Sequence, residues 1–228
     1  ASFDLTGAPG SLLATPTALT SLTPAAFQAA APSSLFQLAG VPKCTVTFNY
    51  FQYGTVGGAG EKTTASGGIM VPSGADPACT GPRPVLLYAH GTSTDKNKNM
   101  ASPQDGEAAL VAAMYAAQGY IVVAPNYAGY ESSPLPYHPY LNLEQQAQDV
   151  VDSLTAARKG FAAINANASS KLRTPIPAAS KGASHASNAS SRTTNSIGRT
   201  PGIGRAGSAR LTRRHIRVRL HPAGVATQ

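Results

Sequence analysis

Hydrophobic positions in this chain fall into short continuous runs separated by Gly- and Pro-rich turns, with two longer stretches at helical spacing. The β-branched and aromatic segment TVTFNYFQY (45–53) and the segment TASGGIMVP (64–72) flank the Gly-rich linker TVGGAGEKT. They predict a hairpin whose second strand ends at Pro72. After the turn-rich PSGADPACTGPRP, the runs PVLLYAH (84–90) and YIVVAP (120–125) are apolar on both alternations. That is the pattern of strands buried on both faces of a parallel sheet. Between these two runs, residues 106–118 are strong helix formers, with Glu107 in the first turn and Gly119 placed to end the helix. A last helix is predicted over 142–160, with Asn142 as N-cap and Arg158 and Lys159 in the final turn. Its expected apolar stripe is Leu143, Ala147, Val150, Val151, Leu154 and Ala157. The order strand, strand, strand, helix, strand, helix predicts an α/β sheet that starts antiparallel and becomes parallel through crossover helices.

The two ends of the chain read differently. Residues 1–40 are rich in Ala, Pro, Thr and Leu and form an N-terminal arm, with a short helix expected to start at Thr23-Pro24. Residues 41–164 carry the regular pattern. From 165 to 228 the chain becomes a Ser/Ala/Arg/Gly-rich, low-complexity stretch with little to bury, a composition expected to remain disordered. Only LTRRHIRVRLH (211–221) alternates enough to resemble a strand.

Charge sharpens that boundary. Residues 1–170 hold 7 Lys+Arg against 10 Asp+Glu, a net of −3, whereas residues 171–228 hold 11 Lys+Arg and no acid. All fifteen Phe and Tyr lie between Phe3 and Phe161. The overall +8 therefore comes from one quarter of the chain, and is a poor argument for a nucleic-acid binder. A reading-frame shift near codon 171 of a GC-rich gene accounts for this composition. A genuine basic tail that contacts polyanions, in a non-enzymatic binding protein, is the competing reading.

Two cysteines, Cys44 and Cys79, suggest one disulfide and an oxidising compartment, with two unrelated free thiols as the alternative. Neither has a neighbouring ligand at metal spacing, so no metal and no cofactor are expected. No apolar stretch approaches the ~20 residues that span a bilayer. The sequence opens at Ala1 without a basic and apolar leader, so a signal peptide has been removed or the sequence starts inside a longer protein.

Candidate chemistry gathers where the apolar runs end. His90-Gly91-Thr92 closes PVLLYAH, where a Gly permits a tight turn and backbone N–H groups can face a ligand at the carboxyl end of the sheet. After the next run, Asn126, Tyr127, Gly129 and Tyr130 belong to a loop suited to a pocket mouth. Simple turn-making and packing are the structural alternatives for both loops.

Taken together, PVLLYAHGT, GYIVVAPNYAGYESS and HPYLNLEQQAQDVVDSLTAARK resemble the secreted bacterial α/β-hydrolases of esterase or lipase type, over residues 41–170. The resemblance implies the N-terminal part of an α/β-hydrolase fold, a small-molecule or lipid ester substrate, and an extracellular or periplasmic location. It gives His90, Gly91 and Thr92 to the oxyanion loop, with an N–H near Thr92 as donor. Such enzymes continue into a strand and a G-x-S-x-G elbow, with the acid and the catalytic His later. Here Gly182-Ala183-Ser184-His185-Ala186 has Ala in place of the second Gly and no buried strand before it. Ser184 is thus a poor nucleophile candidate. No Asp or Glu follows Asp152, and the later histidines His215 and His221 stand in the basic tail. The chain is expected to be inactive as it stands.

Overall fold

The structure, a computed structural model, describes residues 7–30 and 33–173. Its elements are β1 (Thr17–Leu22), α1 (Pro24–Ala30), α2 (Ser33–Ala39), β2 (Thr45–Val56), β3 (Lys62–Ser73) and β4 (Arg83–Leu87). They continue as α3 (Gly106–Met114), β5 (Ile121–Pro125), α4 (Leu143–Gly160) and β6 (Ala168–Arg173). The strands form one sheet in the order β1-β2-β3-β5-β4-β6. β1, β2, β3 and β5 are joined by antiparallel pairings, while β4 pairs in parallel with both β5 and β6. The expected switch from antiparallel to parallel is present, and α3 and α4 are its crossovers.

Covered faces explain the continuous apolar runs. On one face Phe51, Tyr53, Ile69, Val85, Ile121 and Val123 pack under α4. On the other, Val46, Phe48, Met70, Leu86, Val122 and Ala124 pack under α3 and against Phe27 of α1. Side chains alternate along a strand, so covering both faces demands apolar residues at successive positions.

Local signals set most boundaries. Asn142 Oδ1 accepts from Gln145 N at 3.2 Å and caps α4 as expected, and Thr23 Oγ1 accepts from Ala26 N at 3.1 Å at the start of α1. α3 is capped by Asp105, whose Oδ1 accepts from Glu107 N and Ala108 N. Gly119 stands at φ 103, and a Cβ there would overlap the Ala78 carbonyl, so this turn admits only glycine. Cys44 and Cys79 are joined in a disulfide, which fixes the start of β2 to the turn before β4. Nearby, the buried Arg83 guanidinium donates to Pro72 O and Cys79 O.

Five features depart from the sequence expectations. The N-terminal arm supplies an edge strand, β1, and buries Leu12 in the core. Regular structure continues past residue 164, because Ala168–Arg173 has a partner in β4 although its side chains are largely exposed. β4 ends at Leu87 rather than at His90, and the helix over 106–118 ends at Met114 before a tighter turn at Ala116–Gln118. Most consequentially, the inner face of α4 only partly matches the expected stripe: Val150, Leu154 and Ala157 pack against the core, but Ala147 is exposed. Leu143 (69% exposed) and Val151 (43%) point outward, and Gln145, Asp149, Asp152 and Ser153 are buried with Ala156 and Ala157. Partners on β2 and on the loop after β5 make this polar face cheaper to bury than periodicity alone suggests.

No helix among the described residues is long and apolar enough to cross a membrane. The basic stretch beyond Arg173, with its expected disorder, its polyanion reading and residues Ser184, His215 and His221, lies outside the described residues.

Candidate active site

Two loops at the carboxyl ends of β4 and β5 meet above the sheet. The first carries His90, Gly91 and Thr92, and the second runs from Asn126 to Ser133. His90 is buried, with Nε2 3.2 Å from Asn126 O and Nδ1 2.7 Å from Gly91 O. Burial pushes its pKa below the ordinary histidine value, so the ring is neutral and its single N–H serves one of the two carbonyls. Its centroid lies 4.3 Å from that of Tyr127 and 5.7 Å from that of Tyr130. His90 is held as an anchor between the loops.

The amide of Gly91 donates to Glu107 Oε1 at 3.0 Å. That carboxylate also receives Tyr88 Oη at 2.8 Å and, on Oε2, Lys98 Nζ at 2.9 Å, while Lys98 bridges to Asp105 at 2.9 Å. Burial raises the Glu107 pKa, but Lys98, the Gly91 amide and Tyr88 outweigh it and hold the carboxyl below its usual range. The first turn of α3 therefore clamps the loop. The Thr92 amide at the cavity, like the His90 amide behind it, donates to no described residue, while Thr92 Oγ1 lies 3.3 Å from Tyr140 Oη. Replacing Glu107 with Ala should free the Gly91 amide. Hydrogen exchange at Gly91 is expected to accelerate at least about tenfold, as a local opening of ~1.4 kcal/mol would give, with Thr92 exchange unchanged. Equal rates in both proteins would disprove the clamp.

The second loop is rigid and strained. Asn126 is fully buried: Oδ1 accepts from Met100 N at 2.7 Å and Nδ2 donates to Ser66 Oγ at 2.9 Å. Tyr127 follows at φ 68, which an aromatic residue adopts at a cost of about 1–3 kcal/mol. Burial of its ring and a bond from its hydroxyl to His90 O (3.3 Å) hold it there. Ala128 N donates to Asp149 Oδ2 at 2.7 Å, and Gly129 at φ 90 packs so closely on the Tyr137 carbonyl that no Cβ fits. Glu131 accepts from Tyr50 Oη and Ser66 Oγ at 2.9 and 2.8 Å. Burial raises its pKa, but these donors and the Ser132 contacts bring it below the ordinary glutamate value.

A cavity of about 410 Å³ opens between the loops and the segment 136–140, bounded by Thr92, Gly129, Tyr130 and Tyr140 among others. Of the residues expected at a pocket mouth, Gly129 and Tyr130 line this cavity, and Asn126 and Tyr127 are packed beneath it. Lys96, Tyr137, His138 and Tyr140 also line it and were not singled out by sequence. The Pro- and Tyr-rich PLPYHPY was the available signal. Beyond these loops, the described residues include no group of His, Cys, Asp and Glu arranged to hold a metal.

A mixed sheet with a glycine-opened loop after the first parallel strand, crossover helices on both faces and a cavity at the carboxyl ends has the ligand-site layout of an open α/β sheet. Solved structures share this fold. The rice cell wall degrading esterase LipA from Xanthomonas oryzae is 33% identical over 73% of this chain, with a TM-score of 0.63. A putative hydrolase from Legionella pneumophila shares the fold at 24% identity over 72% of the chain, with a TM-score of 0.61. The chain spans 42% of the first protein and 43% of the second. The matched part is homologous to the corresponding part of the Xanthomonas esterase. No protein-family model matches the chain, and no curated protein does.

Proposed function

We propose that residues 41–173 are the oxyanion-loop side of a secreted carboxylic-ester hydrolase. The observation that carries this reading is the division of labour in the loop after β4. Glu107 occupies the Gly91 amide, so the Thr92 amide is left at the cavity mouth as the donor for a developing oxyanion. Identity to the Xanthomonas esterase supports the chemistry, and the disulfide supports an extracellular or periplasmic location. The substrate is a small-molecule or lipid ester.

In the complete reaction a serine attacks the acyl carbon and a histidine takes its proton and returns it to the leaving alcohol. An acid orients that histidine, and the loop amide stabilises the tetrahedral oxyanion. This sequence supplies only the last of these recognisably. β6 stands beside β4, with Arg173 level with Leu86, so the segment that would follow it into a nucleophile elbow lies outside the described residues. No acid follows Asp152 in the sequence. The chain alone is inactive on this reading, and the two loops have their role only in company with a nucleophile-bearing remainder.

Hydrolysis of p-nitrophenyl acetate tests both halves of the proposal. The chain itself should show no turnover above its Ser184→Ala variant. A chimera joining residues 1–173 to the remaining portion of the Xanthomonas esterase should hydrolyse the ester. Thr92→Pro, which deletes the donor N–H, should lower its kcat by roughly 10²–10³. A folded chimera that turns over equally well with Pro at 92 would remove Thr92 from the site.

A further inference from the structure

The wall of the cavity beside Thr92 has an unusual composition. It contains three tyrosines, one histidine, one proline, three hydroxyl residues and a lysine, and no Leu, Ile, Val or Met. The tyrosine hydroxyls are already committed within the protein. Tyr130 Oη donates to Ser93 O at 2.5 Å, Tyr137 Oη to Glu61 Oε1 at 2.5 Å, and Tyr140 Oη shares a hydrogen bond with Thr92 Oγ1. Ser93 Oγ is bound in a turn with Asp95. Ring surface and the lone pairs of the hydroxyl oxygens are what these residues have left to offer a ligand. The rings form a connected series, with the His138 centroid 4.5 Å from Tyr130 and 6.4 Å from Tyr140.

Besides the Thr92 amide, two side-chain groups remain available. Thr94 Oγ1 has no partner among the described residues, and Lys96 Nζ spends one of its three donors on Pro136 O at 3.1 Å. A fatty chain would find no branched aliphatic wall here. A sugar ring would find few unspent donors for its many hydroxyl oxygens. A flat aromatic ring with an oxygen substituent fits both properties, because aromatic pairs gain beyond area burial and the lysine can meet a carboxylate.

We infer that this cavity binds the aryl group of an aryl carboxylate or its ester, ring against Tyr130, His138 and Tyr140, oxygen substituent toward Thr94 and Lys96. The word ester rests on the proposed hydrolase reading; binding of the free aryl carboxylate does not.

The test is an NMR titration of the whole chain with p-methoxybenzoate, cyclohexanecarboxylate, hexanoate and methyl β-glucoside. The aryl acid should bind at least fivefold more tightly than each of the others and shift the Thr94 and Gly129 amides. Tyr140→Ala should weaken it at least fivefold and Lys96→Met at least threefold, with Leu143→Ala, outside the cavity, as the unchanged control. Absence of aryl binding at millimolar concentration overturns the inference. So does equal affinity for cyclohexanecarboxylate or hexanoate, preference for the glucoside, or indifference to both Tyr140→Ala and Lys96→Met. Aryl binding with an inactive chimera would count against the esterase reading alone. An active chimera whose parent chain ignores aryl acids would count against this inference alone.

Discussion

Replacing Asp149 with Ala should cost on the order of 3 kcal/mol of stability in urea unfolding at neutral pH. Asp149 is fully buried on the inner face of α4. Its carboxylate accepts from Tyr53 Oη at 2.5 Å, Ala128 N at 2.7 Å and Gln145 Nε2 at 3.4 Å. One side chain thus ties helix, sheet and site loop together. Truncation leaves a buried hydroxyl and a buried amide without partners, at about 1–3 kcal/mol each, partly offset by relieving a buried charge. A loss under ~1 kcal/mol would show that the loop does not depend on it.

The same residue predicts a pH dependence. Burial pushes the Asp149 pKa from its ordinary 3.8 up to about 6, against the pull of its three donors. The folded state then holds the proton to higher pH than the unfolded state. The stabilisation is therefore complete below about pH 4 and lost as pH rises through about 6, on the order of 3 kcal/mol across that window. Asp149→Asn keeps the shape and should flatten this part of the profile. A variant with the parent's slope would assign the effect elsewhere, the nearby Asp152, also raised by burial, being the first alternative.

Removing the disulfide should have a comparable effect. Cys44 and Cys79 are 35 residues apart and both buried. Closing a loop of that length stabilises by about 3–4 kcal/mol, mainly by restricting the unfolded chain. The bond also holds a corner where Lys43 N and Cys44 N donate to Ala117 O and Arg83 donates to Cys79 O. The double variant Cys44→Ser/Cys79→Ser is expected to melt roughly 10 °C below the parent. Reductant should shift the parent to match it and leave the variant unchanged. A difference under ~2 °C would mean that the corner is held by its hydrogen bonds alone.

Local chemistry made several elements legible in the sequence. The runs at 84–90 and 120–125 fitted strands covered on both faces, and β4 and β5 form there, although β4 stops at Leu87. Asn142 capped the helix it was expected to cap, and Gly119 ended its turn in the left-handed region, since both signals act within a few residues. The cysteine pair is bonded, as its number and setting suggested.

What depended on distant partners was not legible. Periodicity placed Val150, Leu154 and Ala157 of α4 correctly against the core, but also chose Leu143, Ala147 and Val151, which are exposed. The fold chose Asp149 and Asp152, because Tyr53, Thr55 and the Ala128 amide wait for them across the sheet. β6 carries no apolar signal and is a strand only through β4. The candidate site shows the same division. Sequence placed His90-Gly91-Thr92 at the end of a parallel strand, where a turn exposes amides. Only tertiary structure determined that the Gly91 amide belongs to Glu107 and the Thr92 amide is free, since a carboxylate sixteen residues away had to be brought under the loop by α3.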